Sequence, residues 1–204
     1  MSISTEFLRH PLRTGAVAAS SRWLAAEITG GLGLERAPVV AELGPGTGAF
    51  TGAILSRLAP GARLVAVEWN PRLAEGLRER HADDPVDVVR GRAEDLAEHL
   101  PGPVDVVVSG LPWAAMPEAR QRRILDAVLD VLGPDGRFST FAYAHAAWTG
   151  PARRFAALLA ERFGTLERGR VVWPNLPPAF VHRASSPLTP GGSVRSGLFA
   201  AAAG

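Results

Sequence analysis

Short apolar runs and amphipathic stretches alternate along most of this chain. Residues 38–43, 62–68, 86–90, 104–109 and 136–143 are dense in Val, Leu, Ala and Phe, and each is followed by a stretch with apolar positions every three or four residues. The first kind reads as strands and the second, at 48–59, 71–81, 94–99 (short), 117–132 and 151–163, as helices with one apolar stripe. Such alternation predicts an α/β fold, Rossmann-like and doubly wound, whose mostly parallel seven-stranded sheet has helices on both faces. Two final strands, 165–173 and 179–184, are joined by a turn too short for a crossover helix, so they read as an antiparallel C-terminal hairpin.

The ends are patterned differently. Residues 2–14 carry Phe7, Leu8 and Leu12 among Arg9, His10 and Arg13, an amphipathic stretch broken at Pro11. Ser20 or Ser21 can cap a helix from Trp23 to Ile28, which Gly30, Gly31 and Gly33 then end. These features divide the chain into an N-terminal helical extension at 1–34, an α/β domain at 35–184 and a Ser-, Pro-, Gly- and Ala-rich tail at 185–204, which is expected to be mobile. Pro101-Gly102-Pro103 reads as a turn into the next strand rather than as a linker.

Composition narrows the picture. With 204 residues, 47% of them hydrophobic, the chain can bury a core without staples. It has no cysteine, which excludes disulfides and thiolate metal sites, and its five histidines are too scattered to predict a metal centre. No apolar run is long enough to span a bilayer and no secretory core precedes a cleavage site, so the expected location is the cytoplasm. All 22 residues counted as Lys+Arg are arginine, and the formal charge of +2 is too small to argue for nucleic acid.

The chemistry concentrates at the first two strands. Val39-Val40-Ala41-Glu42-Leu43 runs into Gly44-Pro45-Gly46-Thr47-Gly48, and the next strand ends on Glu68. Glycines there let the backbone take positive φ and a ligand lie against it. A strand-end carboxylate about twenty residues on can accept hydrogen bonds from both hydroxyls of a ribose. A nicotinamide-dependent enzyme satisfies the same loose G-x-G-x-x-[GA] pattern through Ala49, and an exposed glutamate without a ligand is the plainest alternative.

Glu42 immediately before the turn distinguishes the motif. The segment resembles the E-x-G-x-G-x-G motif of class I S-adenosylmethionine-dependent methyltransferases, with Glu68 as their second, strand-end acid. The resemblance implies S-adenosyl-L-methionine as cofactor, its methionine part along Gly44, Gly46 and Gly48, its amino group near Glu42 and its ribose on Glu68 and beside Trp69. It places adenine by Ala93 and Glu94 or Asp95, although acids there can equally serve as helix caps.

Ser109-Gly110-Leu111-Pro112-Trp113 leaves the fourth strand at the carboxyl edge of the sheet. It is similar to the [DNS]-[PLG]-P-[YFW] loop of methyltransferases acting on nitrogen, which implies that Ser109 borders both cofactor and target nitrogen and that Trp113 packs beside the latter. The alternative is a packed turn. Tyr143 and His145, at the end of the fifth strand, are the candidates to receive a proton, and Trp113 and Tyr143 to wall a methylammonium by cation–π contact. As plain strand-end residues they would pack or face solvent.

Four segments, Pro11 to Ala18, Ser109 to Pro112, Phe141 to His145 and Trp173 to Ala179, resemble bacterial phospholipid N-methyltransferases in the same order. That likeness runs from about residue 7 to 184 and departs at Ala146-Ala147-Trp148, where a Gly-Pro pair is expected. It implies an amine acceptor of the phosphatidylethanolamine type, and peripheral contact with the anionic inner face of the membrane through the N-terminal stretch. An rRNA adenine-N6 methyltransferase and a small-molecule N- or O-methyltransferase share the cofactor motifs. RNA work would call for a clustered basic face and a recognition domain, neither evident here, so nucleic acid is not the expected partner.

Overall fold

The computed structural model describes residues 20–188. The N-terminal stretch at 2–14, the segment Pro11 to Ala18 and the tail beyond 188 therefore lie outside the described residues.

The chain opens with α1 (Arg22–Thr29), whose first turn is capped by Ser21, the side chain of which accepts from the Leu24 N–H at 3.2 Å. The alternating body follows as β1 (Val39–Leu43), α2 (Ala49–Leu55), β2 (Arg63–Glu68), α3 (Pro71–Arg80) and β3 (Val86–Arg90). After a 3₁₀ segment at Ala93–His99 come β4 (Val104–Ser109), α4 (Glu118–Val131), β5 (Leu132–Tyr143), α5 (Gly150–Arg162), β6 (Phe163–Arg168) and β7 (Ala179–Pro187). No helix among the described residues is long and apolar enough to cross a membrane.

All seven strands form one sheet in the order β3-β2-β1-β4-β5-β7-β6, with only β7 antiparallel to its neighbours. The predicted mostly parallel sheet with a C-terminal antiparallel hairpin is thus the observed fold. β1, β2 and β4 are buried along nearly their whole length, because helices cover both faces. Alternate side chains feed two cores. Ala41, Leu43, Val65 and Val67 pack with α4 and α5, while Val40, Leu64, Val106 and Val108 pack with Leu24 and Ile28 of α1 and Phe50 and Ile54 of α2.

Several expected boundaries shift. β5 begins at Leu132 instead of 136: Leu132 pairs with Val104 and Arg137 with Val106, so Gly133 to Gly136 form an irregularity inside the strand. β6 starts at Phe163 and ends at Arg168, earlier than 173, and Val172 keeps only an isolated bridge to Ala179. β7 runs on to Pro187, pairing Ser185 with both Arg137 and Thr165, so the first residues expected in the tail belong to the sheet. The expected helix at 94–99 is a 3₁₀ segment kinked at Asp95.

The strand order has a consequence for binding. From β1 the chain turns toward β2 and β3, whereas β4 and β5 build the other half. In open sheets of this order ligands bind at that switch point, beyond the carboxyl ends of the parallel strands. Leu43, Glu68, Ser109 and Tyr143 end the strands on that edge.

Candidate active site

The glycine loop follows β1 directly. Gly44, Gly46 and Gly48 take φ of +65°, +58° and +85°, a region that an L side chain enters at a cost. The loop is clamped at both ends and open in the middle. A Cβ on Gly44 would lie 2.6 Å from Leu111 Cδ2 and one on Gly48 2.7 Å from Leu77 Cδ1, whereas one on Gly46 would meet nothing within 4 Å among the described residues. Arg80 ties the loop to α3 by donating to the Thr47 carbonyl at 2.7 Å.

Glu68 braces the same loop from β2. Its Oε2 accepts the Gly46 N–H at 3.1 Å and its Oε1 the Asn70 N–H at 2.8 Å, with only 7% of the residue exposed. Each carboxylate oxygen retains acceptor capacity beyond these bonds. Asn70 meanwhile caps α3 through Oδ1, ahead of Pro71 at the first helical position.

Glu42 shares the face of Val40 and points toward α2. It is fully buried; Thr51 Oγ1 donates to its Oε2 at 2.7 Å, and Oε1 has no hydrogen-bond partner among the described residues. Burial pushes its carboxyl up to about 8, against the hydrogen bond from Thr51 and with help from the nearby Glu68 charge. A buried acceptor left unpaired is expensive alone and favourable beside a cation.

At the end of β3, Ala93 is buried and Glu94 nearly so. Arg120 on α4 donates to Glu94 Oε1 at 2.9 Å, while Oε2 is buried without a partner among the described residues. Burial pulls this carboxyl upward, but its own backbone N–H and the hydrogen bond and charge of Arg120, with Arg92, outweigh it and hold the pKa below the usual range. Glu94 and Asp95 also sit in the first turn of the 3₁₀ segment, where acids favour the positive end of the helix, so the alternative role at the helix start is filled as well. A groove of about 570 Å³, lined by Arg92, Glu94, Asp95, Arg123, Asp126 and Asp130, continues from here along α4, away from the glycine loop. Trp69 is 60% exposed, with the Arg92 guanidinium 5.2 Å from its ring centre.

The loop after β4 departs from expectation. Ser109 is fully buried, and its Oγ accepts the Trp113 indole N–H at 3.0 Å and the Leu111 N–H at 3.3 Å. Trp113 is 2% exposed, stacked on Phe155 at 4.4 Å and edge-on to Phe138. The ring is therefore part of the core beneath α5, and the packed turn describes it; an aromatic wall around a methylammonium does not. Gly110 makes that turn possible, because a Cβ there would lie 2.6 Å from the Gly44 carbonyl oxygen.

Tyr143 ends β5 half-buried, edge-on to Phe141 and stacked on His145 at 5.7 Å. Burial raises the phenol's pKa, so it stays protonated at neutral pH. His145 is exposed.

The fold thus gathers Glu42, the glycine loop, Glu68 and Ser109 at the switch point, with Ala93 and Glu94 on one flank and Tyr143 on the other. Sequence reading missed Thr51, Asn70, Gly110 and Arg120. Asn70 before Pro71 carries a legible capping signature, but the other three act only across elements.

The profile of the methyltransferase domain family matches residues 40–136, the span from β1 into β5. An ornithine lipid N-methyltransferase from Singulisphaera acidiphila is 38% identical over 139 residues, covering 66% of this chain and 72% of its own. Among solved structures, N-methyltransferase NodS from Bradyrhizobium japonicum superposes with a TM-score of 0.61 at 17% identity, over 91% of this chain and 98% of that one. O-methyltransferase TomG from Streptomyces achromogenes, solved with S-adenosylmethionine, gives 0.60 at 23% identity over 81% and 78%. These structural likenesses show a shared fold, and the sequence relationship shows descent. With its glycine loop and two buried acids gathered at the switch point, the chain belongs to the class I S-adenosylmethionine-dependent methyltransferases and uses S-adenosyl-L-methionine as methyl donor.

Proposed function

We propose that the protein methylates the amine of a polar lipid, either a phosphatidylethanolamine-type phospholipid or an aminoacyl lipid of the ornithine type. The observation that carries this reading is the 38% identity to an ornithine lipid N-methyltransferase across 66% of the chain.

In this reading Glu68 receives the ribose hydroxyls on the lone pairs that Gly46 and Asn70 leave free, and Glu42 Oε1 faces the amino group of the cofactor. The backbone at Gly46, where no side chain intrudes, runs alongside the methionine part. Trp69, Ala93 and Glu94 flank adenine, with Glu94 Oε2 accepting from its exocyclic amine. When bound, the cofactor supplies a methyl group made electrophilic by its sulfonium. The residues of the chain have then to hold the amine in line with it, a contribution that can reach about 7–11 kcal/mol.

The amine must also lose a proton. An alkylamine with a pKa of about 10.4 is mostly protonated at neutral pH, and freeing its lone pair costs about 4–5 kcal/mol. Tyr143, held as a neutral phenol, accepts a hydrogen bond from the nitrogen and offers its ring face to the growing methylammonium. His145, stacked on it and open to water, passes the proton outward. Ser109 acts indirectly, fixing the loop through Trp113 and Leu111.

Parallel incubations with labelled S-adenosylmethionine and a bacterial lipid extract, ribosomal RNA or a pool of water-soluble amines, followed by chromatography, test the reading. Label in an amine-bearing lipid is expected. Label found only in ribosomal RNA or in water-soluble amines would overturn it.

A further inference from the structure

Six large apolar side chains stand exposed among the described residues, and four of them share one neighbourhood. Trp23 is 53% exposed, Trp148 80%, Trp173 71% and Leu176 78%. They sit on three segments that hydrogen bonds tie together. The Ser21 N–H donates to Asn175 Oδ1 at 2.9 Å, which joins the start of α1 to the β6–β7 connection. The Ala144 N–H donates to the Pro178 carbonyl at 2.8 Å, which joins the same connection to the segment bearing Trp148. Tyr143 pairs with Ala179, so this cluster rims the carboxyl end of β5, on the sheet edge where the glycine loop also leaves β1.

The charges of that rim have one sign. No Asp or Glu occurs at 20–26, 136–160 or 168–188, and Arg22, Arg153, Arg168 and Arg170 are all exposed there. The Arg22 guanidinium lies 4.9 Å from the Trp23 ring centre, so cation and indole present themselves together. Exposed apolar clusters of this kind mark interaction sites. Indoles settle at the headgroup level of a bilayer, and arginines beside them are attracted to anionic lipid. A protein partner would supply carboxylates at particular positions; a bilayer asks only for an apolar tip and diffuse positive charge.

We propose that Trp23, Trp148, Trp173 and Leu176 form a docking rim for an anionic bilayer, which sets the active-site mouth at the level of the lipid headgroups. The inference rests on the reading that the acceptor is a membrane lipid, since a rim beside the mouth lets a lipid amine reach Tyr143 without leaving the membrane.

Co-sedimentation of the full chain with vesicles tests it, using phosphatidylglycerol–phosphatidylcholine mixtures against phosphatidylcholine alone. The wild type is expected to bind the anionic vesicles and the triple variant Trp148→Ser/Trp173→Ser/Leu176→Ser at least tenfold more weakly, with its S-adenosylmethionine affinity within twofold of wild type. Leu188→Ser, an exposed leucine beyond the opposite end of β7, should bind vesicles as the wild type does. Equal binding by the triple variant, equal loss in Leu188→Ser, or a wild-type dimer that the triple variant converts to monomer would each overturn the rim. Methylation of a detergent-dispersed lipid amine separates the two ideas. A wild type that methylates it yet ignores vesicles loses the rim and keeps the acceptor, and one that binds through the rim yet methylates no lipid loses the acceptor alone.

Discussion

Glu42 and Glu68 lie close enough for their charges to interact, yet they are held in opposite ways. Glu68 has two backbone N–H donors, whereas Glu42 has one hydroxyl and, among the described residues, no partner for its second oxygen. Between about pH 4.5, where the unfolded chain releases this proton, and about 8, where the folded Glu42 does, the folded state binds more protons. Stability of the cofactor-free protein is therefore full below that window and is lost as pH rises through it. Thermal unfolding without cofactor should show Glu42→Gln losing less of its midpoint between pH 5 and 8 than wild type. For Glu68→Ala, calorimetric titration should show S-adenosylmethionine bound at least tenfold more weakly, since charged hydrogen bonds of about 1.5–3 kcal/mol each are removed and Gly46 loses its acceptor. The need for a strand-end acid is legible in sequence. Its second task of bracing the loop is not, because the donor lies 22 residues away in the chain.

Among the elements, the contact between the loops after β1 and β4 decides the shape of the crevice. Gly110 approaches the Gly44 carbonyl so closely that a methyl group there, 2.6 Å from backbone oxygen, must push the loops apart. Gly110→Ala should cost about 1–3 kcal/mol of stability in chemical denaturation. Gly46→Ala adds its methyl group into open space, so its main effect should be on S-adenosylmethionine affinity, with only the positive φ of +58° weighing on stability. Periodicity places most elements well, since doubly buried strands and one-faced helices leave strong patterns. It fails where backbone pairing overrides a local signal. Leu132 reads as the end of a helix and 136 as the start of a strand, but Leu132 already pairs with Val104, and the residues between become an irregularity within β5. Trp113 fails differently: the loop pattern marks an aromatic residue, but only the position of α5 sends its ring inward onto Phe155.

For the molecule as a whole, the active site is a seam between two halves of one sheet. A ligand bridging them stabilises the folded state by mass action, about 2.7 kcal/mol at a hundredfold excess over Kd. For a domain of this size that is about 5–11 °C in Tm, which differential scanning fluorimetry with S-adenosylmethionine would read and which Glu68→Ala should at least halve at the same concentration.

The amino-acid sequence by itself determined the alternation of strands and helices, the glycine loop with its two flanking acids and the absence of cysteine chemistry, because these depend on local period, local backbone freedom and residue type. The tertiary structure alone decided which face of β1 carries Glu42 to Thr51, that Ser109 and Trp113 turn inward, and that Trp23, Trp148, Trp173 and Leu176, scattered along the chain, meet on one rim. Those outcomes are set by sheet order and helix packing, where partners distant in sequence become neighbours and no window along the chain contains both.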